Sequence, residues 1–383
     1  MTACRVCGGD LPVPVYDAPA PALTSIMTLL DVPTRVFVCD RCGHAQGDDI
    51  PDIGAFYDST YRISLAGEGH DQVFAVKADG AVIFRTDHQA AIALGLLGLP
   101  RDALVLDYGA AKADTLRKMV AARPDIRPHV FDVSADYAGA WDGWVAKEAQ
   151  AIYTVPAAWA GRFDAAMSHF VIEHVADPVG FVRDLGALLK PDGVLLLSLP
   201  DVAANPGDMT VADHLNHFSA ASLAHALSAG GFRLRTMDRT SFPGAFFAVC
   251  ERAPEARPMP IATPPAAEAA NGARDICRSW ETAAERLEAE AERFRGRKAA
   301  VYGAGFYGSW ISSRVGRSVN LVSFLDRNPH LEGTTLFGVP VIRPERIGSD
   351  VDVLFIGLNP LKARDAIAAQ PWLNRAGLQH VWL

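Results

Sequence analysis

Short hydrophobic runs and segments with an apolar residue every three or four positions alternate through the middle of the chain. "ALVLDYG" (103–109) is an apolar run into glycine, "DTLRKMVAA" (114–122) has helical spacing, and "RPHVFDVS" (127–134) is a second run that carries an acid near its end. "FDAAMSHFVIEHV", "DPVGFVRDLGALLK", "PDGVLLLSLPD", "SAASLAHALSAGGF" and "FRLRTMDRTSF" continue as strand, helix, strand, helix and strand, and "SFPGAFFAVCERA" closes with a further strand. Apolar runs of this length between helical segments are buried on both faces, so the pattern predicts a doubly wound α/β domain. Such a sheet binds ligands beyond the carboxyl ends of its strands.

After residue 252 the pattern changes. "APEARPMPIATPPAAEAANG" is rich in proline and alanine and reads as a linker or surface crossing, and "ARDICRSWETAAERLEAEAERFRG" has charges at three- and four-residue spacing, which predicts a long connecting helix. A new α/β domain begins near Arg297 with "RKAAVYGAGFYGSWISSRVG", a strand followed by Gly303, Gly305 and Gly308 in a complete G-x-G-x-x-G. "VSFLDRNP" then supplies Asp326 at the end of the next strand. Tight turn, close backbone approach, helix N-terminus and ribose-facing acid are the parts of a dinucleotide site. Substrate holding, a purely structural descendant and true NAD binding all remain open for this loop. No Tyr-x-x-x-Lys pair or other hydride-site constellation accompanies it, which disfavours a dehydrogenase or epimerase.

At 383 residues the chain is long enough for two or three domains, and 50% hydrophobic residues supply their cores. The formal charge of −8, with no basic runs, argues against nucleic acid as a partner. No segment reaches the roughly 18 apolar residues of a membrane span, and no basic-then-apolar leader opens the chain; both predict a soluble, cytoplasmic protein without a membrane partner.

Four of the six cysteines form two Cys-x-x-Cys pairs, Cys4 with Cys7 and Cys39 with Cys42. Two knuckles of this kind aim four thiolates at one ion and leave no open position, which predicts a structural Zn2+; reduced surface cysteines or a redox pair are the alternative. Gly8 and Gly43 suit the knuckle turns. Cys250 and Cys277 read as buried small hydrophobes.

In the middle domain Gly109 follows the first strand, where the chain must turn sharply, but Ala111 and Ala113 stand where cofactor loops often carry glycine. A cofactor without a pyrophosphate tolerates the added methyl groups better, so the loop fits S-adenosyl-L-methionine better than NAD. Asp132, ending the next strand, can accept both hydroxyls of a ribose, and Asp107 can receive the ammonium of the methionine part.

The segment "SHFVIEHVADPVGFVRDLGALLKPDGVLLLSLPD" resembles the later motifs of class I S-adenosylmethionine-dependent methyltransferases. With the four-cysteine module in front, "FYDSTYRIS" after it and a glycine-loop domain behind, the whole chain resembles the zinc-module C-methyltransferases of nucleotide-linked deoxysugars. The resemblance implies a small zinc module at 1–60, a central seven-stranded Rossmann-like methyltransferase domain at 61–252, a linker and connecting helix at 253–296, and a Rossmann-like domain at 297–383 that helps to hold a nucleotide-linked sugar. It implies that Ser168 to Phe170, with His169 between them, touches S-adenosylmethionine, that Glu173 and His174 orient a strand-to-helix turn, and that Tyr61 lies over the active site. Tyr61 packing a domain junction is the competing reading.

The segment "ADHLNHFS" departs from that family's Glu-His-Tyr-like cluster, with Phe218 where a tyrosine is expected. The acceptor atom is therefore open among carbon, oxygen and nitrogen. His214 and His217 would share one face if the segment is helical, and a histidine of near-neutral pKa suits a general base. His217 is the first candidate, since Phe218 and Ser219 start the next helix and fix it; His214 is the second, and helix capping is the alternative for both. The expected function is methyl transfer to a small polar acceptor, a nucleotide-linked sugar by resemblance. A non-sugar O- or N-methyltransferase and a non-catalytic nucleotide-binding scaffold are the alternatives. The sequence does not set the sugar, its carrier or the oligomeric state.

Overall fold

The computed structural model describes residues 2–50, 71–77, 81–255, 259–359, 367 and 370–383. The chain forms two compact units: Met1–Val13, Phe37–Asp208 and His214–Ala273 make the first, and Pro14–Val36, Met209–Asp213 and Arg274–Leu383 the second.

The first unit is built on a seven-stranded sheet. Its strands are β1 (Leu104–Tyr108), β2 (Arg127–Asp132), β3 (Gln150–Ile152), β4 (Phe163–His169), β5 (Leu189–Pro200), β6 (Phe232–Asp238) and β7 (Ala245–Arg252), in the order β3-β2-β1-β4-β5-β7-β6. The first five are parallel, and β7 runs antiparallel to both of its neighbours. The order reverses between β1 and β4, which creates the switch point where a ligand crevice opens.

Successive residues of each central strand enter opposite cores. Leu106, Phe131, Ala166, Leu195 and Phe246 pack on one face, and their neighbours Val105, Val130, Ala165, Leu196 and Phe247 on the other. That is why these strands read as uninterrupted apolar runs. Pro191-Asp192-Gly193 lies inside β5 as an irregularity: Phe163 pairs with Leu189, but Ala165 pairs with Val194. Cys250 is fully buried in β7.

Helices α1 (Arg85–Leu97), α2 (Asp114–Ala122), α3 (Pro178–Leu188) and α4 (Ala220–Ala229) accompany the sheet. Two of their starts are written locally. Asp177 accepts from the Gly180 N–H ahead of α3, which has proline in its first turn, and Ser219 accepts from the Ser222 N–H ahead of α4. Helix α5 (Pro264–Arg293) begins earlier than its charge pattern alone suggests, inside the proline- and alanine-rich stretch. Its prolines occupy the first turn, where no intrahelical N–H is needed, and the alanines after them favour helix.

The second unit carries a six-stranded sheet of β8 (Lys298–Tyr302), β9 (Asn320–Leu325), β10 (Thr335–Leu336), β11 (Val339–Ile342), β12 (Val353–Ile356) and β13 (Gln379–Trp382), in the order β10-β11-β9-β8-β12-β13. Only the β10–β11 pair is antiparallel. Helix α6 (Phe306–Val315) follows β8, as the glycine motif requires. Among the described residues, no helix is long and apolar enough to cross a membrane.

Candidate active site

A cavity of about 560 Å³ opens beyond the carboxyl ends of β1, β2 and β4. Its walls include Arg85 from α1, Asp107 to Thr115 from β1, its loop and α2, Phe131 to Ser134 from the end of β2, and His169 to Val171 and His174 to Ala176 after β4. This volume suits a ligand of drug-like size.

The loop after β1 does with alanine what such loops often do with glycine. Gly109 has φ +76°, and Ala111 and Ala113 have φ +46° and +56°, in the left-handed region. A side chain at Gly109 would also meet Val171 Cγ2 at 2.5 Å, so that position requires glycine. Left-handed alanine costs about 1–2 kcal/mol each, and surrounding contacts must hold it. Asp132 Oδ2 accepts the Ala111 N–H at 2.8 Å, and Trp141 Nε1 donates to the Ala111 carbonyl at 2.7 Å. Gly109 N–H and Ala110 N–H both donate to the Phe131 carbonyl, at 2.9 and 3.0 Å.

Asp132 accepts from Ser134 N–H as well, at 3.0 Å, and lines the cavity. Burial raises its pKa, while the backbone donors Ala111 and Ser134 act in the opposite sense. Each bonded oxygen keeps a second lone pair for a ligand hydroxyl. Asp107 is 3% exposed on the same wall, and burial, followed by the charge of Asp132, pushes its pKa up to about 8. The carboxyl is thus protonated at neutral pH until a cation arrives beside it.

Ser168 does not line the cavity; its hydroxyl donates to the Tyr108 carbonyl at 2.9 Å and ties β4 to β1. His169 does line it. Its Nδ1 lies 2.7 Å from Ser198 Oγ, and its Nε2 is buried without a hydrogen-bond partner among the described residues. Burial, then the charge of Arg85, lowers the His169 pKa to about 4, so the ring is neutral across the physiological range.

His214 and His217 meet at one acid that the sequence reading missed. The segment is not helical: Asn216–His217 is a short strand paired antiparallel with the Ala45–Gly47 strand. Asp208 Oδ1 lies 2.6 Å from His214 Nδ1, and Asp208 Oδ2 lies 2.9 Å from His217 Nδ1. Burial opposes ionisation of Asp208, but the two histidines outweigh it and hold the carboxyl well below the usual range. Neither His214 nor His217 lines the cavity, and His217 is 1% exposed. Phe218 is a core residue packed on His44, with ring centroids 5.0 Å apart.

The turn after β4 is held by Asn216, whose Nδ2 donates to the carbonyls of Ile172 at 3.1 Å and Val175 at 2.7 Å. Glu173 is buried in that turn, and His174 reaches the cavity wall. Tyr61 lies outside the described residues.

The four N-terminal cysteines converge. Cys4 Sγ is 3.6 Å from Cys42 Sγ, Cys7 Sγ is 3.5 Å from Cys39 Sγ, and all four sulfurs lie within 4.8 Å of one another. A tetrahedral ion with Zn–S bonds of about 2.3 Å needs sulfurs about 3.8 Å apart. The two knuckles repeat one geometry: Gly8 N–H donates to the Cys4 carbonyl and Gly43 N–H to the Cys39 carbonyl, with φ +68° and +72° at the glycines. Arg5 joins this module to the rest of the first unit by donating to the Leu215 carbonyl at 2.8 Å, while also donating to the Gly47 carbonyl within the module.

The glycine loop of the second unit mirrors the first. Asp326 accepts from Ala304 N–H and Asn328 N–H, both at 2.8 Å, as Asp132 does from Ala111 and Ser134. A methyl group at Gly308 would overlap the Gly303 carbonyl, so Gly308 serves close packing of helix on strand, whereas the space around Gly305 is open.

Residues 85–236 match the family model described as Methyltransferase domain. That stretch is similar to a methyltransferase domain, and it holds β1 to β5, the parallel strands whose order reverses at the cavity. No curated protein matches the chain. Among solved structures it is similar to the 1,6-didemethyltoxoflavin-N1-methyltransferase of Burkholderia thailandensis, solved with 1,6-didemethyltoxoflavin and S-adenosylhomocysteine, at 20% identity over 44% of this chain and 78% of that one, TM-score 0.34. It is also similar to S-adenosylmethionine-dependent methyltransferases of Mesorhizobium loti (14% identity, 43% and 100% covered, TM-score 0.35) and Aquifex aeolicus (14%, 43% and 89%, TM-score 0.35).

Proposed function

We propose that the cavity binds S-adenosylmethionine and a small polar acceptor side by side, and that the acceptor is a nucleotide-linked sugar. The observation that carries the placement is that His169, whose Nε2 has no hydrogen-bond partner among the described residues, lines one cavity with Asp107 and Asp132. Asp132 suits the ribose hydroxyls and Asp107 the ammonium group of the donor. Bound there, S-adenosylmethionine supplies an electrophilic methyl group, and the protein's share is alignment and handling of one proton.

His169 is better placed for that proton than His214 or His217, because its ring lines the cavity and its Nδ1 is fixed by Ser198. With the proton on Nδ1, donated to Ser198 Oγ, Nε2 presents a lone pair to the acceptor.

The sugar acceptor rests on the arrangement of modules: a four-cysteine cluster, a methyltransferase domain and a second glycine-loop domain whose Gly305 leaves room for a ligand backbone contact. In this reading the cysteines hold one structural Zn2+, and Gly303, Gly305, Gly308 and Asp326 form the substrate-side loop. The test is to incubate the intact chain with methyl-deuterated S-adenosylmethionine and separate panels of nucleotide sugars, free sugars and N-heterocycles, with products read by mass spectrometry. Label in nucleotide sugars alone is expected; label only in heterocycles overturns the acceptor class.

A further inference from the structure

The turn after β4 holds a buried cluster that methyl transfer by His169 leaves unused. Glu173 is 1% exposed, and both of its carboxyl oxygens are buried without a hydrogen-bond partner among the described residues. Burial pushes its pKa up to about 8. A carboxyl group so placed is costly to fold unless something compensates it.

One ligand atom each from Glu173, His174 and His214 lies within 4.8 Å of the others. Metal–ligand bonds of about 2.0–2.2 Å bring donor atoms to within roughly 3.5 Å of each other, so small side-chain rotations close the set. The rings of His174 and His214 stand edge to face with centroids 4.7 Å apart. Asp208 engages His214 through Nδ1, so His214 would meet an ion through Nε2. A carboxylate behind the far nitrogen of a histidine is the usual support of a metal ligand.

We propose that Glu173, His174 and His214 bind one divalent transition-metal ion, with Asp208 as the positioning residue of His214. Two imidazoles and one carboxylate suit zinc, iron, cobalt or nickel, and exclude calcium as the preferred ion. His174 lines the cavity, so an ion that it held would lie at the cavity wall. An acceptor oxygen bound there would have its pKa lowered, which narrows the substrate class to hydroxyl-bearing compounds. That last step rests on the proposed methyl transfer; the metal site does not.

The test adds Co2+ to the purified full-length chain after a chelator at neutral pH has stripped it to the one zinc ion of the thiolate site, without S-adenosylmethionine or acceptor. One further equivalent of cobalt is expected, with a visible d–d band and without the intense near-ultraviolet sulfur-to-cobalt charge transfer of a thiolate site. Glu173→Gln and His214→Gln should each weaken it at least tenfold, and Asp208→Asn about 10–100-fold. Circular dichroism checks that each variant folds. The wild-type spectrum decides even if a variant does not fold: no second equivalent, or one bound only through sulfur, overturns the proposal, as does unchanged binding in folded Glu173→Gln. Failure here leaves methyl transfer standing, and loss of methyl transfer leaves cobalt binding standing.

Discussion

Asp132 holds Ala111 in a left-handed conformation: its Oδ2 accepts the Ala111 N–H at 2.8 Å while the alanine keeps φ +46°. The backbone conformation that glycine would adopt freely is thus imposed on alanine from outside. The loop retains its shape although two of its expected glycines are gone.

If contacts impose that conformation, glycine should relieve it. Ala111→Gly and Ala113→Gly are each expected to leave stability unchanged or raise it by up to about 1 kcal/mol, the strain relieved less the added freedom of the unfolded chain. Gly109→Ala should destabilise by more than about 1 kcal/mol, because its methyl meets Val171 at a positive φ. Urea midpoints measure both, and loss of stability in the two alanine-to-glycine variants would contradict the account.

Asp107 gives cofactor binding a pH signature. Its folded pKa, raised by burial and then by Asp132 to about 8, keeps it protonated at pH 7, and an ammonium beside it drives the proton off. Affinity for S-adenosylmethionine should therefore rise with pH up to about 8 and level off above. Calorimetry at pH 7 in buffers of different ionisation enthalpy should show release of up to one proton per site, abolished in Asp107→Asn. Identical heats in all buffers for the wild type would remove Asp107 from the ammonium site.

His169→Gln should lower turnover by about 10²–10⁴ and leave S-adenosylmethionine affinity nearly intact, since a base acts on the transition state. Burial holds its pKa near 4, so kcat/KM for the acceptor at saturating S-adenosylmethionine should stay free of an acid limb near the ordinary histidine value of 6.5. Full turnover in His169→Gln, with loss in His214→Gln, would move the role to His214.

The sulfur geometry calls for one tightly held zinc ion per chain on Cys4, Cys7, Cys39 and Cys42. It should survive dialysis at neutral pH and be released on acidification, when thiolates are protonated. Elemental analysis that found well under one zinc ion in freshly purified protein would contradict this assignment.

The strands were legible because burial on both faces leaves them apolar throughout, and the loop acids were legible because Asp107 and Asp132 sit at strand ends. The knuckles were equally plain, since their spacing is local. Asp208 was not: its partners lie six and nine residues away, and nothing in "PGDMT" marks a buried acid. Nor was the short strand at Asn216–His217, which exists only because the Ala45–Gly47 strand pairs with it from far away in sequence. That the His169 ring lines the cavity with its Nδ1 on Ser198 is a property of packing, which periodicity does not carry.

The most direct measurement is a calorimetric titration of the intact chain with S-adenosylmethionine, alongside Asp132→Ala. The account predicts one site per chain, weakened about tenfold or more in the variant, or roughly 1.5–3 kcal/mol, as expected for losing a charged acceptor. No binding to the wild type, or equal affinity in a folded Asp132→Ala variant, would contradict it.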